Sequence, residues 1–228
     1  MKGEAARAWA FMRRGELRGL REEASPLGTA VRDERFALRH DSNYLFVERA
    51  ASAEEIRGEL VRLRLPIAVV PGDLEETGQD FVVMVHRGER LPPARPAEQA
   101  ALEDVAPLRR EGVLGQPWGN SDVADQLIAA RAELATRISV THFVARAGGQ
   151  IVAWADLYAD GDEAQIEDVA TILEHRGQGY ATGVVLTALA AAPQFCFLVA
   201  DAGDWPRVWY ARLGFEDVGR YSKVSAKP

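Results

Sequence analysis

The stretch Val169-Ala-Thr-Ile-Leu-Glu-His-Arg-Gly-Gln-Gly-Tyr-Ala-Thr182 decides the fold. It joins a β-rich run, residues 165–172, to an apolar, alanine-rich run that begins at Thr182 and is stopped by Pro193. The first run predicts a strand and the second a helix, so Gly177 and Gly179 sit in the turn between them. Glycines at such a turn let successive backbone N–H groups face outward, and the helix dipole adds partial positive charge. The loop is therefore suited to an anion, most naturally a phosphate. Arg176 at its mouth adds a fixed charge with fork geometry. A Walker A loop is excluded, because it needs Gly-Lys-Ser/Thr. A Rossmann fingerprint needs G-x-G-x-x-G/A directly after a strand, with an acid on a later strand. Gly177, Gly179 and Asp201 meet part of that pattern, but Thr182 holds the third position. The polar Glu174-His175-Arg176 also parts strand from glycine, and only the residues 202–228 follow Asp201, too few for a doubly wound sheet.

Outward from the loop, periodicity supplies the rest. Residues 121–138 have a helical period, with Asp122 and Asp125 in the first turn suiting the helix dipole. The period then becomes two: strands at 142–147 and 151–158 flank a Gly148-Gly149 turn, and Asp160-Gly161 signals a second hairpin. Beyond the central helix come a buried strand at 195–200, a short helix at 205–213 and a final strand at 218–224. This order predicts a mixed α/β domain with a crossover at its centre. Upstream, Arg87-Gly-Glu-Arg-Leu-Pro-Pro-Ala-Arg-Pro-Ala97 is too rich in proline for helix or central strand. Residues 91–99 are read as an extended linker between a smaller α/β part, 1–90, and a larger domain, 100–228. In the first part, residues 4–22 have helical composition and 36–47 a strand-like spacing. Ser52-Ala-Glu-Glu55 is a capping box opening a helix that carries Ile56, Leu60 and Leu63. Strands follow at 67–70 and 81–86, with no recognisable chemical motif.

Arg176-Gly-Gln-Gly179-Tyr-Ala181 has the form Arg-x-x-Gly-x-Ala, which resembles the acetyl-CoA pyrophosphate loop of the GNAT superfamily of N-acetyltransferases. Glu167-Asp-Val-Ala-Thr171 looks like the strand before that loop, and Trp209-Tyr-Ala-Arg-Leu-Gly-Phe215 resembles the late helix whose tyrosine faces the CoA sulfur. The resemblance covers about residues 100–228. It implies a central, largely antiparallel sheet flanked by helices, with acetyl-CoA as cosubstrate. The loop Arg176, Gly177, Gln178, Gly179, Tyr180, Ala181 and Thr182 would hold the pyrophosphate, and Val169, Ala170 and Thr171 the pantetheine arm. Tyr210 would serve the departing sulfur; its alternative is a core tyrosine. Glu167 and Asp168 would approach the acceptor amine, or simply cap a strand end with solvated acids. As neighbours on a strand, they are expected on opposite faces. Trp118, in the segment where relatives bind the acceptor, would line that site or anchor packing. The chain departs from the family at Gly203, where many members carry an Asn that contacts CoA. The first part resembles a degenerate second copy: Leu74-Glu-Glu-Thr-Gly-Gln-Asp-Phe-Val-Val-Met-Val85 loosely parallels Leu213-Gly-Phe-Glu-Asp-Val-Gly-Arg-Tyr221.

The expected activity is acetyl transfer from acetyl-CoA to a primary amine of a small molecule or peptide. The alternative is a non-catalytic acyl-CoA-binding or regulatory module. Relatives of this kind often dimerise, so a homodimer is among the assemblies the resemblance allows. The formal charge of −7 argues against a nucleic-acid partner, which needs a basic face. Its distribution is uneven: residues 148–204 hold nine acids against one base, Arg176. Acids around a cleft steer amines, which favours a cationic acceptor. No apolar run of about 18 residues predicts a membrane span, and Met1–Leu20 lacks the apolar core of a secretory signal. The lone Cys196 cannot form an internal disulfide and fits a reducing cytoplasm. Neither it nor the histidines offer metal-ligand spacing, so no metal is expected.

Overall fold

The computed structural model describes residues 3–17, 20–39, 43–72, 74 and 79–226. In chain order the elements are α1 (Glu4–Leu17), β1 (Arg21–Ser25), β2 (Gly28–Arg32), β3 (Tyr44–Val47), α2 (Ala53–Leu63), β4 (Ile67–Pro71), β5 (Gln79–His86), β6 (Glu98–Ala100), α3 (Leu102–Leu114), α4 (Ser121–Leu134), β7 (Ser139–Ala147), β8 (Gln150–Asp160), β9 (Glu163–Thr171), α5 (Tyr180–Ala191), β10 (Phe195–Asp201), α6 (Trp205–Arg212) and β11 (Phe215–Ser225). The mixed α/β class, a largely antiparallel sheet with flanking helices, is as expected from the sequence. Of the first part's expected elements, positions 18–19 and 40–42 lie outside the described residues, as do 75–78 of the internal parallel.

The chain forms two compact units, Met1–Val85 with Val199–Pro228, and His86–Leu198. One break, Val85/His86, lies just before the proline stretch, and a second, Leu198/Val199, returns the end of the chain to the first unit. The reason for the second is β11, which pairs antiparallel with β4 from Tyr221↔Pro71 to Ser225↔Ile67 and so completes the first unit. Nothing local in either run specifies that partner.

In the first unit the strands lie in the order β1-β2-β3-β4-β11-β5. The Ser52 hydroxyl accepts from the Glu55 N–H at 3.2 Å, and the Glu55 carboxylate accepts from the Ser52 N–H at 2.8 Å, the expected capping box. It sets the start of α2, whose Ile56, Leu60 and Leu63 pack on Leu45, Val47, Ala68, Val70 and Val224 of one sheet face. The β1–β2 hairpin escapes a reading by periodicity because β1, Arg-Glu-Glu-Ala-Ser, is a polar edge strand.

The second unit runs β10-β9-β8-β7-β6. β8 is buried throughout residues 151–157, covered on both faces. Val105 and Leu108 of α3 pack on Val144, Ile151 and Trp154, and α3 packs on α4. α5 lies against β7, β8 and β9. One succession of pairings occurs in both units. β1–β2–β3 is an antiparallel meander, and α2 then crosses to β4, parallel to β3. β7–β8–β9 repeats the meander, and α5 crosses to β10, parallel to β9.

The proline stretch forms neither helix nor strand over residues 87–97, and it is bound along α5. Arg90 donates to the carbonyls of Ala192, Pro193 and Gln194 at the helix C-terminus. Ala97 N–H donates to Thr187 Oγ1 at 3.0 Å, and the Arg95 guanidinium lies 4.9 Å over the Tyr180 ring. Between these points, a Cβ on Gly183 would meet the Arg95 carbonyl at 2.2 Å. Glycine here is required by close approach, and Gly183→Ala must push the strap off the helix. Overpacking of this kind costs about 1–3 kcal/mol. The expected result is a lower unfolding midpoint, read by thermal or urea melts.

Candidate active site

The loop has the conformation its glycines suggested. Gly177 and Gly179 both have left-handed φ, 73° and 84°, and nothing lies within 4 Å of the position a Cβ would take at either. Their glycine character is a matter of backbone angle, since a side chain there costs about 1–2 kcal/mol. Gly179 is the N-cap of α5 and has no side chain to cap it. The first internal bond runs from Gly183 N–H to Gly179 O at 3.0 Å. The first-turn N–H groups, Tyr180 to Thr182, therefore have no partner within the helix and make up its positive end. Residues 176–179 are exposed, while Tyr180 is buried. Arg176 Nε donates to Thr171 O at 3.2 Å, tying the arginine to the end of β9. The Thr171 hydroxyl is itself buried and lacks a hydrogen-bond partner among the described residues. The ladder between β9 and β10 spans Phe195↔Glu163 to Leu198↔Ile166, whereas β9 continues to Thr171.

The acids behave differently from the expectation. β9 carries a bulge: Asp156 pairs with Glu167, but Trp154 pairs with Ala170, which leaves one extra residue on β9. Asp168 takes it up with φ 53°, a left-handed angle unusual for a side-chain-bearing residue. The alternation that would send Glu167 and Asp168 to opposite faces is thereby broken. Glu167 shares the face of Asp156, its cross-strand partner. Asp168 Oδ2 accepts from Trp154 Nε1 at 3.1 Å, and Trp154 is on that same face. Glu167 in turn accepts from Gln165 Nε2 and from the Asp168 N–H at 3.2 Å.

Above this face, α3 and α4 each contribute one arginine. Arg109 binds Asp156, and its Nε lies 2.8 Å from Asp168 Oδ2. Arg131 Nε lies 3.0 Å from Asp156 Oδ2 and 3.3 Å from the Tyr158 hydroxyl, and its second nitrogen 3.6 Å from Asp168. His142 Nδ1 approaches Asp156 at 2.6 Å. Asp156 is fully buried. Burial alone would raise its carboxyl; the His142 hydrogen bond, Arg131 and Arg109 outweigh that and hold it below the usual range. Burial pushes the Tyr158 hydroxyl well up. Burial works against the charge on Arg131, but Tyr158, Asp168 and Asp156 more than compensate and raise it. Asp156 was legible as a charge inside the apolar run Ile151–Leu157. Arg109 and Arg131 carry no local signal, because arginines on helices are commonplace.

Comparison with known proteins bears on the family and the fold. Residues 109–215 match the acetyltransferase (GNAT) family model. The chain carries a GNAT-family domain. That family transfers acyl groups and uses acetyl-CoA. No curated protein matches the chain. Among solved structures it is similar to a GCN5-related N-acetyltransferase from Kribbella flavida, with 15% identity, TM-score 0.64, 100% of this chain covered and 97% of that one. It is also similar to a conserved protein of unknown function from Staphylococcus epidermidis, with 12% identity, TM-score 0.70, and 90% and 93% covered. At such identities the likeness is one of fold.

Within the GNAT domain the remaining residues are distributed as follows. Tyr210 is buried on α6, in the other compact unit, its ring 5.9 Å from Phe215 and 4.7 Å from Trp209. Asp204 caps α6 through the Trp205 N–H at 2.7 Å, with Pro206 in its first turn. Gly203 donates its N–H to Asp201 at 2.9 Å. Trp118 is 57% exposed between α3 and α4, so packing is not what it supplies. His175 is edge-on to Tyr180 at 5.9 Å. Cys196 is buried, and that burial raises its thiol to about 12, so it is no nucleophile. Among the described residues no group of three metal-ligating side chains occurs, and no helix is long and apolar enough to cross a membrane.

Proposed function

We propose that the protein is an N-acetyltransferase that moves an acetyl group from acetyl-CoA to a primary amine by direct transfer in a ternary complex. The observation that carries this reading is the left-handed pair Gly177 and Gly179 opening α5, with Arg176 fixed beside it by Thr171 O. These groups fit a pyrophosphate, and the Thr171 hydroxyl, without a hydrogen-bond partner among the described residues, and the last residues of β9, Val169 to Thr171, suit a polar arm laid along them. Bound there, acetyl-CoA supplies a thioester activated for attack by an amine. The chain must then remove a proton from the amine and serve the leaving thiolate.

Glu167 is assigned as the base, directly or through one water. Asp168 is the weaker candidate, because taking a proton there would break its ion pairs with Arg109 and Arg131. Those arginines also match two of the acids in the 148–204 segment, so its steering of a cationic acceptor is less than the sequence count suggests. Tyr210 is assigned to the departing sulfur, and Trp118, exposed between the early helices, to the acceptor.

The test is release of free CoA with a panel of amines, amino-terminal peptides and aminoglycosides. Acetyl-CoA binding without thiol release from any acceptor would favour the non-catalytic acyl-CoA-binding module. Arg176→Ala is expected to raise the KM for acetyl-CoA roughly tenfold or more, the effect of losing one charge-assisted hydrogen bond, with the acceptor KM unchanged. An unaltered acetyl-CoA KM would remove Arg176 from the cofactor site.

A further inference from the structure

Two side-chain-bearing residues among those described have a left-handed φ, Arg64 and Asp168. Arg64 has an ordinary cause: it is the C-cap of α2, and its N–H donates to the carbonyls of Leu60 and Val61. Asp168 ends no helix. It sits inside β9, at an angle disfavoured for a residue with a Cβ, so its surroundings must hold it there. What holds it is one oxygen. Asp168 Oδ2 accepts from Trp154 Nε1 at 3.1 Å and lies 2.8 Å from Arg109 Nε and 3.6 Å from Arg131. Both arginines are tied in turn to the fully buried Asp156. The three donors come from β8, α3 and α4, and together they fix the side chain and with it the backbone.

The consequence falls on Glu167. In a regular strand the N–H of residue 168 would point across to a neighbouring strand; the bulge frees it from the ladder. It donates instead to Glu167 Oε2 at 3.2 Å, while Gln165 Nε2 donates to Oε1. Gln165 is buried and two residues away on β9, on the face of Glu167. Each oxygen of the Glu167 carboxylate thus takes one of these donors and has a second lone pair to offer.

We infer that Asp168 is a positioning residue for Glu167: Arg109 and Arg131 hold its carboxylate, the carboxylate holds the left-handed turn, and the N–H of that turn orients the base. The inference rests on Glu167 being the base, as proposed above. In the transfer step the N–C bond forms, the C–S bond breaks, and a proton on the attacking nitrogen passes to Glu167, directly or through one water. The thiolate takes its proton from Tyr210. Asp168 gains and loses none, and it keeps its ion pairs with the two arginines.

The test compares Asp168→Ala with Asp168→Gly in the full chain. Both lose the carboxylate, but glycine adopts a left-handed φ at no steric cost and alanine does not. Asp168→Ala is expected to lower kcat about tenfold or more, the effect of losing one hydrogen bond to a charged group, with the acetyl-CoA KM unchanged. Asp168→Gly should keep several-fold more of the parent rate, although thermal melts of both should lie below the parent's, since both lose the same ion pairs. In a Glu167→Gln background, which lacks the base, the two variants should turn over alike. A readout that needs no acceptor is the carbon-13 titration of the Glu167 carboxyl. A donated N–H favours the ionised form, so the midpoint should be higher in Asp168→Ala than in Asp168→Gly. The charged and titratable groups around Glu167, namely Asp156 and Tyr158 on β8, His142 on β7, and Arg109 and Arg131 on the helices, are the same in both variants. If Glu167→Gln leaves turnover unchanged, the base assignment falls and this inference with it. If Glu167→Gln removes turnover while alanine and glycine at position 168 give equal rates or equal midpoints, the positioning role alone falls.

Discussion

A Tyr210→Phe variant should lose turnover by about 10²–10⁴-fold, the range for removing a positioned proton donor, while acetyl-CoA binding is kept. The ring is buried against Phe215 and Trp209, so phenylalanine preserves the packing and removes only the hydroxyl. The loss should fall on kcat, because a group that serves the leaving thiolate acts in the transition state and not in cofactor binding. A thiol of low pKa needs little help in leaving. An acyl donor built on a more acidic thiol should therefore recover part of the lost rate in the variant. Steady-state kinetics of free-CoA release with the best acceptor provides the measurement. Unchanged kcat would return Tyr210 to a purely structural role on α6.

The second large effect is on stability. Asp156→Ala removes the carboxylate shared by Arg109, Arg131 and His142, and leaves two buried guanidinium charges with only the partly exposed Asp168 between them. Breaking a buried pair from one side costs about 3–5 kcal/mol. For a chain of this size, each kcal/mol moves the unfolding midpoint by about 2–4 °C. The pH dependence follows from the depressed carboxyl. A folded value below the unfolded one means that the contribution is full above the unfolded value and fades as pH falls through the folded one. The parent's stability should therefore drop steeply on the acid side of the ordinary carboxylate range. Asp156→Ala should be less stable at neutral pH and show a shallower acid limb. Urea melts across that pH series measure both, and superimposable limbs would remove Asp156 as the centre of the cluster. Asp156→Asn is the control: it keeps a hydrogen-bond acceptor for His142 and Arg131 but not the charge, and should fall between the two.

The glycine loop was legible because its information is local. Two left-handed angles, a helix start without a cap and an arginine at the mouth are properties of consecutive residues, and the peptide backbone imposes them wherever the segment occurs. The Ser52–Glu55 capping box was legible for the same reason. The bulge at Asp168 was not, because strand alternation is the default and only the pairing of β8 with β9 shows that β9 holds one residue too many. Arg109 and Arg131 were equally hidden. They become site residues only when α3 and α4 fold over the face carrying Asp156 and Asp168.

The proline stretch shows the same division. Its prolines exclude helix and central strand, but the carbonyls at the end of α5 and the missing Cβ of Gly183 are what turn it from a spacer into a bound strap. β11 likewise reads as a strand from its own residues, yet its partnership with β4 draws the end of the chain into the first unit. Sequence by itself determined what each segment can be, because backbone angles, caps and apolar period act over a few residues. The tertiary structure decided which charges meet, which face the acids share and which segments form one unit, because strand partners and buried ion pairs are chosen across the chain by what each leaves unsatisfied alone.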